Sequence, residues 1–228
     1  MPRDPHRDQP ILLGGASLTE ASGALVLLHG RGGSAQEMLA LARDLCSDSP
    51  PSPPSPEGRG GQGVRAWLVP EAAGRLWYPF SLLEKVERNR PALNSALGLL
   101  KRVMEKIAAV NIAPERVMLL GFSQGASVVL EFAARNARRY GGIIALSGAL
   151  LGPEGTPREY EGSLAGTPLF LGHGDSDPNL PKRRVDETAT VFERLGAVVT
   201  KKMYPGLGHA MNAEEIVVAR GMLEMIGH

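Results

Sequence analysis

The sequence predicts an α/β protein with a mainly parallel central sheet and helices on both faces of that sheet. Two observations carry this prediction: short continuous runs of Val, Ile and Leu recur along the chain, and segments with helical spacing of apolar residues separate them. Continuous apolar runs are typical of strands that are covered on both faces, and alternating strands and helices form right-handed βαβ units. With 228 residues, of which 43% are hydrophobic, one globular domain over residues 1–228 is expected.

The apolar runs give the predicted strands, which are, in chain order, Ala24 to His29, Val64 to Val69, Val117 to Gly121, Ile143 to Leu146, Leu169 to Leu171 and Val198 to Met203. The clearest predicted helix runs from about Pro91 to Val110, where apolar side chains recur every three or four residues. A weaker helical pattern covers Val185 to Leu195, and Asn212 followed by Glu215 is typical of a capping box at the start of the last helix. Functional groups are expected on the loops beyond the carboxyl ends of the strands.

One segment interrupts the alternation of strands and helices. It runs from Ser47 to Gly63, SDSPPSPPSPEGRGGQG, is rich in proline and glycine, and contains no periodic apolar residue. This composition predicts a flexible or polyproline-like surface insertion. A docking site for a proline-recognising module is the alternative.

Charge and cysteine content limit the classes of partner. The 25 Lys and Arg nearly balance the 24 Asp and Glu, so the overall charge gives no reason to expect binding to nucleic acid or to an anionic membrane. Cys46, the single cysteine, has no partner for an internal disulfide, and the chain starts with charges and prolines instead of an apolar leader. No apolar stretch approaches the roughly 18 residues of a membrane span. These features predict a cytoplasmic protein without stable membrane insertion that acts on a small molecule.

The strongest chemical signal is the segment VMLLGFSQGASVVLEFAARN. An apolar strand leads into Gly121-Phe122-Ser123-Gln124-Gly125 and directly into an amphipathic helix, which is the context that a Gly-x-Ser-x-Gly nucleophile elbow requires. Side chains at positions 121 and 125 would collide with the neighbouring strand and helix at such a strained turn. Ser123 is therefore predicted to be a nucleophile; a plain serine helix cap is the alternative.

A serine nucleophile needs a general base, and the five histidines supply the candidates. His6 and His228 are expected at mobile ends. His29 and His173 each close an apolar strand, where they could act in catalysis or fix loop backbone. His209 follows the last predicted strand and lies after both the serine and the candidate acids, in keeping with the order serine, acid, histidine of α/β-hydrolases. We therefore expect His209 to be the base, with His173 as the alternative.

Backbone N–H groups are expected to bind the oxyanion that forms during the reaction. One is the N–H of Gln124, the residue after the nucleophile, and the other is the N–H of Arg31 in the glycine-rich loop HGRGGS after the first predicted strand. Gly32 is expected to lie against the substrate, because glycines let backbone approach a ligand. The loop fits neither the dinucleotide-binding nor the Walker spacing, which disfavours a nucleotide site.

Asp175 and Asp177 are the candidates for the acid that orients the base. Both lie in HGDSDP, beyond the carboxyl end of a predicted strand. Pro178 biases the backbone of Asp177 to an extended conformation, whereas Asp175 directly follows Gly174 and suits an Asx-turn that closes the loop. The residues alone give a modest preference for Asp177.

Together the segments LLHGRGG, WYPF, LLGFSQGA, LGHGDSDPNLP and YPGLGHAM resemble the phospholipase/carboxylesterase family, the acyl-protein-thioesterase-like serine hydrolases of the α/β-hydrolase superfamily. The resemblance covers about Ala24 to Ile226. It implies a single-domain α/β-hydrolase fold without a large lid domain, and it implies that Ser123, Asp177 and His209 are the catalytic residues. The sequence departs from the family pattern at Gly32-Gly33, where the family often has Gly-Asp.

The resemblance also carries expectations about ligands. It implies a site with no cofactor and no metal, a small-molecule ester substrate, and a homodimer at the level of the family. It places Trp77 and Phe80 in the wall of an acyl pocket; the alternative is that both are core residues under a long loop.

The predicted activity is that of a serine carboxylesterase for esters of small to medium acyl groups. The same residues would serve an acyl-protein thioesterase or a lysophospholipase. A non-catalytic hydrolase-fold binding module is a rival from another class, although such a module would usually have lost one of the three residues. A lactone hydrolase resembling dienelactone hydrolase would be expected to carry Cys at position 123.

Overall fold

The computed structural model describes residues 4–46 and 65–225. The strands within these ranges are β1 (Ile11–Gly15), β2 (Gly23–Leu28), β3 (Arg65–Pro70), β4 (Val117–Phe122), β5 (Gly142–Leu146), β6 (Pro168–Gly174) and β7 (Val198–Tyr204). The helices are α1 (Ala35–Cys46), α2 (Val86–Ala108), α3 (Gln124–Arg135), α4 (Lys182–Arg194) and α5 (Ala213–Glu224). The predicted insertion from Ser47 to Gly63 lies outside the described residues.

All seven strands of the described chain form one sheet in the order β1-β3-β2-β4-β5-β6-β7. Every neighbouring pair is parallel except β1 with β3, which is antiparallel. The predicted mainly parallel α/β fold is therefore confirmed. The parallel strands direct their carboxyl ends to one edge of the sheet, where the loops after β2, β4, β6 and β7 meet.

Burial on both faces explains the continuous apolar runs. In β2, Val26 and Leu28 belong to the core on the side of α2, α3 and α4, whereas Leu25 and Leu27 belong to the core on the side of α1 and α5. Successive side chains of a strand point to opposite faces, so a strand between two helical layers has no polar position. None of the helices in the described chain is long and apolar enough to cross a membrane.

The start of helix α2 and the burial of His6 differ from the sequence-based expectation. Helix α2 begins at Val86, ahead of the predicted start at Pro91, because its first residues are mostly polar and carry no apolar periodicity. His6, expected at a mobile end, is only 1% exposed. Its ring lies 5.5 Å from the ring of Trp77, its Nδ1 accepts from the N–H of Ala73 at 3.1 Å, and its Nε2 lies 3.1 Å from the carbonyl oxygen of Trp77.

Candidate active site

Ser123 occupies a sharp turn between β4 and α3. Its backbone has φ 54° and ψ −119°, a conformation that L-residues rarely adopt. A Cβ at position 121 would lie 2.5 Å from the backbone of Gly125 and Ala126, and a Cβ at position 125 would lie 2.3 Å from the carbonyl oxygen of Leu28. Only glycine fits at these two positions, so the spacing of Gly121 and Gly125 around Ser123 follows from the packing of the turn against β2 and α3.

Three side chains from three loops form one hydrogen-bonded chain. The Oγ of Ser123 lies 2.7 Å from Nε2 of His209, and Nδ1 of His209 lies 2.7 Å from Oδ2 of Asp177. Because an ionised carboxylate only accepts, Nδ1 carries the proton and donates to Asp177, which leaves the lone pair of Nε2 to accept from the Ser123 hydroxyl. In this tautomer the imidazole can take the proton of the serine hydroxyl.

The two aspartates of HGDSDP have different partners. The carboxylate of Asp177 is fully buried, and its second oxygen accepts from the N–H of Asn179 at 2.8 Å. Asp175 is exposed, and its Oδ1 accepts from the N–H of Gly206 at 2.8 Å. The structure therefore brings Asp177 to the imidazole of His209 and places Asp175 as a tie between two loops.

The two histidines that close strands are bound to loop backbone. Nδ1 of His29 lies 2.8 Å from the carbonyl oxygen of Gly30, and its Nε2 accepts from the N–H of Ala72 at 3.1 Å. Nε2 of His173 lies 2.9 Å from the carbonyl oxygen of Leu180, and burial lowers the pKa of this imidazole. These contacts agree with the alternative in which His29 and His173 fix loop backbone.

Gln124 and Arg31, whose N–H groups are expected to bind an oxyanion, both lie at the cavity that contains Ser123. Gln124 is the first residue of α3, so its N–H has no acceptor within the helix. Arg31 lies in the loop after β2, where the next two N–H groups are already bonded: Gly32 donates to Arg75 at 2.9 Å and Gly33 donates to Gly30 at 3.1 Å. Both Gln124 and Arg31 line the cavity at Ser123.

A cavity of about 520 Å³ opens at Ser123 and His209. The other lining residues are Gly30, Arg31, Tyr78, Pro79, Ser81, Leu82, Phe122, Gln124, Ser147, Asn179 and Leu180. Gly32, Trp77 and Phe80, which were expected to contact the substrate, are not among them. Trp77 is completely buried and donates from Nε1 to the carbonyl oxygen of His29 at 2.8 Å. Phe80 is 39% exposed and packs its ring under the guanidinium group of Arg88.

Side-chain amides that the sequence analysis missed hold the loop at residues 77–81. Gln124 accepts from the N–H of Trp77 at 3.1 Å and donates to the carbonyl oxygen of Tyr78 at 2.7 Å. Asn89, completely buried in α2, accepts from the N–H of Phe80 at 3.0 Å and donates to the carbonyl oxygen of Ser81 at 3.0 Å. The sequence does indicate that Asn89 is buried, because it lies one helical turn before Leu93 and therefore on the apolar side of α2.

The polar side chains of the described chain do not gather into a metal-binding cluster. Within residues 4–46 and 65–225, no three His, Cys, Asp or Glu side chains are arranged in a way that could hold a metal ion. The reactive groups at the cavity are Ser123 and His209, with the carboxylate of Asp177 behind the imidazole.

Residues 16–226 match the model of the Phospholipase/Carboxylesterase family. The chain belongs to this family. The match extends over almost the whole described chain and includes every strand from β2 onward, so the α/β-hydrolase fold expected from the sequence is confirmed.

Known proteins similar to this chain are found both by sequence and by structure. A phospholipase/carboxylesterase from Dyadobacter fermentans is 37% identical with a TM-score of 0.84, over 95% of this chain and 96% of that one. The Arabidopsis thaliana SOBER1 structure, 20% identical with a TM-score of 0.67 over 90% of this chain and 98% of that one, shares the fold. Acyl-protein thioesterase 1 of Debaryomyces hansenii is 32% identical over 54% of this chain and 53% of its own length. The match thus spans about half the length of this curated relative.

Proposed function

We propose that this protein is a serine carboxylesterase that hydrolyses esters of small to medium acyl groups. One observation carries the proposal: the unbroken hydrogen-bonded chain from Ser123 through His209 to Asp177, located at a cavity. A serine hydroxyl is a weak nucleophile near neutral pH, and an oriented imidazole within 2.7 Å of it supplies the base that it needs. Membership in the phospholipase/carboxylesterase family supports the same reaction.

In the proposed reaction, Ser123 attacks the ester carbonyl while Nε2 of His209 takes its proton. Asp177 holds the ring in the required tautomer and stabilises the imidazolium that forms. Collapse of the tetrahedral intermediate breaks the bond to the leaving alcohol, which receives the proton from His209. Water, deprotonated by the same imidazole, then attacks the acyl-enzyme. The carboxylic acid leaves as His209 returns that proton to the Oγ of Ser123.

The oxyanion of each tetrahedral intermediate is proposed to accept hydrogen bonds from the N–H groups of Gln124 and Arg31. The dipole of α3 adds to this effect, because its N-terminus begins at Gln124 and carries partial positive charge. Donors of this kind that are already in place typically contribute about 10²- to 10³-fold each to turnover.

An acyl-protein thioesterase activity is the second candidate. The observation that favours it is the similarity to proteins named acyl-protein thioesterase 1 from several fungi, among them Gibberella zeae at 36% identity over 46% of each chain. The cavity has apolar side chains at Phe122, Leu82 and Leu180 that suit an acyl chain. Esters and thioesters would react through the same acyl-enzyme, so only relative rates distinguish the two activities.

Active-site labelling tests the proposal directly. A fluorophosphonate probe should add one covalent adduct to the protein, and peptide mass spectrometry should locate it at Ser123. Ser123→Ala should not be labelled, whereas Ser127→Ala, which removes a neighbouring hydroxyl in α3, should still be labelled. Absence of an adduct on folded wild-type protein would contradict the proposal. A panel of 4-nitrophenyl butyrate, an acyl-cysteine peptide and a lysophospholipid then ranks esterase, thioesterase and lysophospholipase activity.

A further inference from the structure

Among the residues that line the active-site cavity in the described chain, Arg31 is the only one with a permanently charged side chain. Its guanidinium group donates from Nη1 to the carbonyl oxygen of Pro79 at 3.2 Å. It also donates from Nη2 to the carbonyl oxygens of Tyr78 at 3.4 Å and Phe80 at 3.1 Å. These bonds fix the head of Arg31 against the loop that forms one wall of the cavity.

The positive charge of Arg31 meets no carboxylate at the cavity among the described residues. The acids of the surrounding loops are used elsewhere: Glu37 and Glu71 accept from the N–H groups at the start of α1. The carboxylate of Asp177 is buried and bonded to His209 and Asn179. Carbonyl oxygens are neutral acceptors, so they orient the guanidinium group without cancelling its charge.

The guanidinium group also keeps free hydrogen-bonding capacity. It has five N–H donors, and the three bonds to the loop leave Nε and one N–H of Nη1 without a partner in the described chain. Arg31 is exposed and lines the cavity, so a ligand bound there lies beside this side chain. A carboxylate is the group whose negative charge suits such donors.

We propose that Arg31 selects acyl esters whose acyl chain ends in a carboxylate, that is, monoesters of short dicarboxylic acids. The proposal rests on the proposed esterase function and narrows its substrate class. The ester carbonyl would lie at Ser123 with its oxygen near the N–H of Arg31, and the acyl chain would follow the wall at Tyr78, Pro79 and Leu82. Its terminal carboxylate would then meet the guanidinium head of the same residue.

Two esters of equal chain length test this inference. Mono-4-nitrophenyl adipate and 4-nitrophenyl hexanoate differ in the terminal carboxylate, which an apolar pocket without a cation would reject. We expect wild-type kcat/KM to be higher for the adipate than for the hexanoate. Arg31→Gln should lower the ratio of the two kcat/KM values by about 10- to 100-fold, the range for a hydrogen bond to a charged group. Both absolute rates are expected to fall, because the loop loses its brace, so the ratio is the readout.

Two further variants separate charge from structure. Arg31→Lys keeps the charge but not the planar fork, and should recover most of the preference for the adipate. Arg88→Gln removes a nearby cation that already pairs with Glu84 at 3.1 Å, and should leave the ratio at its wild-type value. If Arg31→Gln does not fold, the wild-type ratio and the lysine variant decide the question.

The outcomes distinguish this inference from the esterase proposal. Wild-type protein that cleaves the hexanoate but rejects the adipate, or a ratio that Arg31→Gln leaves unchanged, would overturn the role of Arg31 and leave the esterase proposal standing. Loss of hydrolysis of both esters together with absence of fluorophosphonate labelling would instead overturn the esterase proposal.

Discussion

The carboxylate of Asp175 accepts a hydrogen bond from the N–H of Gly206 at 2.8 Å. This bond joins the loop after β6, which carries Asp177, to the loop after β7, which carries His209. The N–H of Ser176 adds a second link by donating to the carbonyl oxygen of Leu207 at 3.1 Å. The two neighbouring aspartates therefore have separate functions: Asp177 bonds the imidazole itself, and Asp175 holds together the two loops that bring the imidazole and Asp177 into contact.

Exchanging each aspartate for asparagine should give very different kinetics. Asp177→Asn should lower kcat by about 10⁴-fold, because the amide no longer selects the productive tautomer of His209. Asp175→Asn keeps an oxygen that can accept from Gly206, so turnover should stay within a few-fold of wild type. Steady-state kinetics on 4-nitrophenyl butyrate measure both. The reverse order of effects would move the acid to position 175.

The turn at Ser123 should tolerate no side chain at position 125. Gly125→Ala would put a methyl group 2.3 Å from the carbonyl oxygen of Leu28, and the forced shift should lower stability by about 1–3 kcal/mol and kcat by more than about tenfold. Gly98→Ala is the matched control, since its methyl group would have only the flexible end of Arg102 nearby at 3.7 Å. That change in helix α2 should stabilise the protein by up to about 1 kcal/mol. Urea denaturation measures the stability of each variant, and steady-state kinetics measure its kcat. If Gly125→Ala and Gly98→Ala had the same stability and the same kcat, this account of the turn would be contradicted.

Much of this architecture follows from local sequence patterns. Continuous apolar runs identify β2 to β6 because both faces of these strands are largely covered, whereas β7, VVTKKMY, is mostly exposed or half-buried. The strand β1 was not predicted: Ile11–Gly15 is a short antiparallel edge strand that ends in two glycines and is only partly buried, so neither a continuous run nor an alternation marks it. Asn212 and Glu215 form the predicted capping box, since the cap depends on residues three apart.

The cavity wall could not be predicted in the same way. Its shape depends on long-range contacts of Asn89, Gln124 and Arg31 with the backbone at residues 77–81, and no local pattern encodes which helix a loop meets. For the same reason, the aromatic character of Trp77 did not show whether its ring faces the cavity or the core. The structure places Trp77 in the core and gives the wall to Tyr78, Pro79 and Leu82.

Trp77 and Leu82 should therefore respond differently to mutation. Trp77→Phe leaves the carbonyl oxygen of His29 without its donor and should cost about 1–3 kcal/mol of stability, with little change in acyl-chain preference. Leu82→Ala enlarges the cavity and should raise the kcat/KM for 4-nitrophenyl octanoate relative to the butyrate. Thermal denaturation measures the change in stability, and the ratio of kcat/KM for the octanoate to that for the butyrate measures the acyl-chain preference. If only Trp77→Phe changed this preference, the indole would have to contact the substrate.

The buried His6 should make stability depend on pH. Burial lowers its pKa below the ordinary value of 6.5, so the unfolded chain takes up this proton first as the pH falls. The contribution of neutral His6 to stability is therefore fully present above about pH 6.5 and is lost progressively below it. As the pH falls below about 6.5, the unfolding free energy of wild type should therefore decrease relative to that of His6→Gln. A difference between the two that is constant above and below about pH 6.5 would show that His6 takes up its proton equally in both states.

Turnover of 4-nitrophenyl butyrate by purified, folded Ser123→Ala tests the central claim most directly. Removal of the nucleophile should lower kcat by at least about 10³-fold, because the remaining groups can stabilise an oxyanion but cannot form an acyl-enzyme. A folded Ser123→Ala protein that turns over the ester at close to the wild-type rate would contradict the assignment of Ser123 and, with it, the proposed reaction.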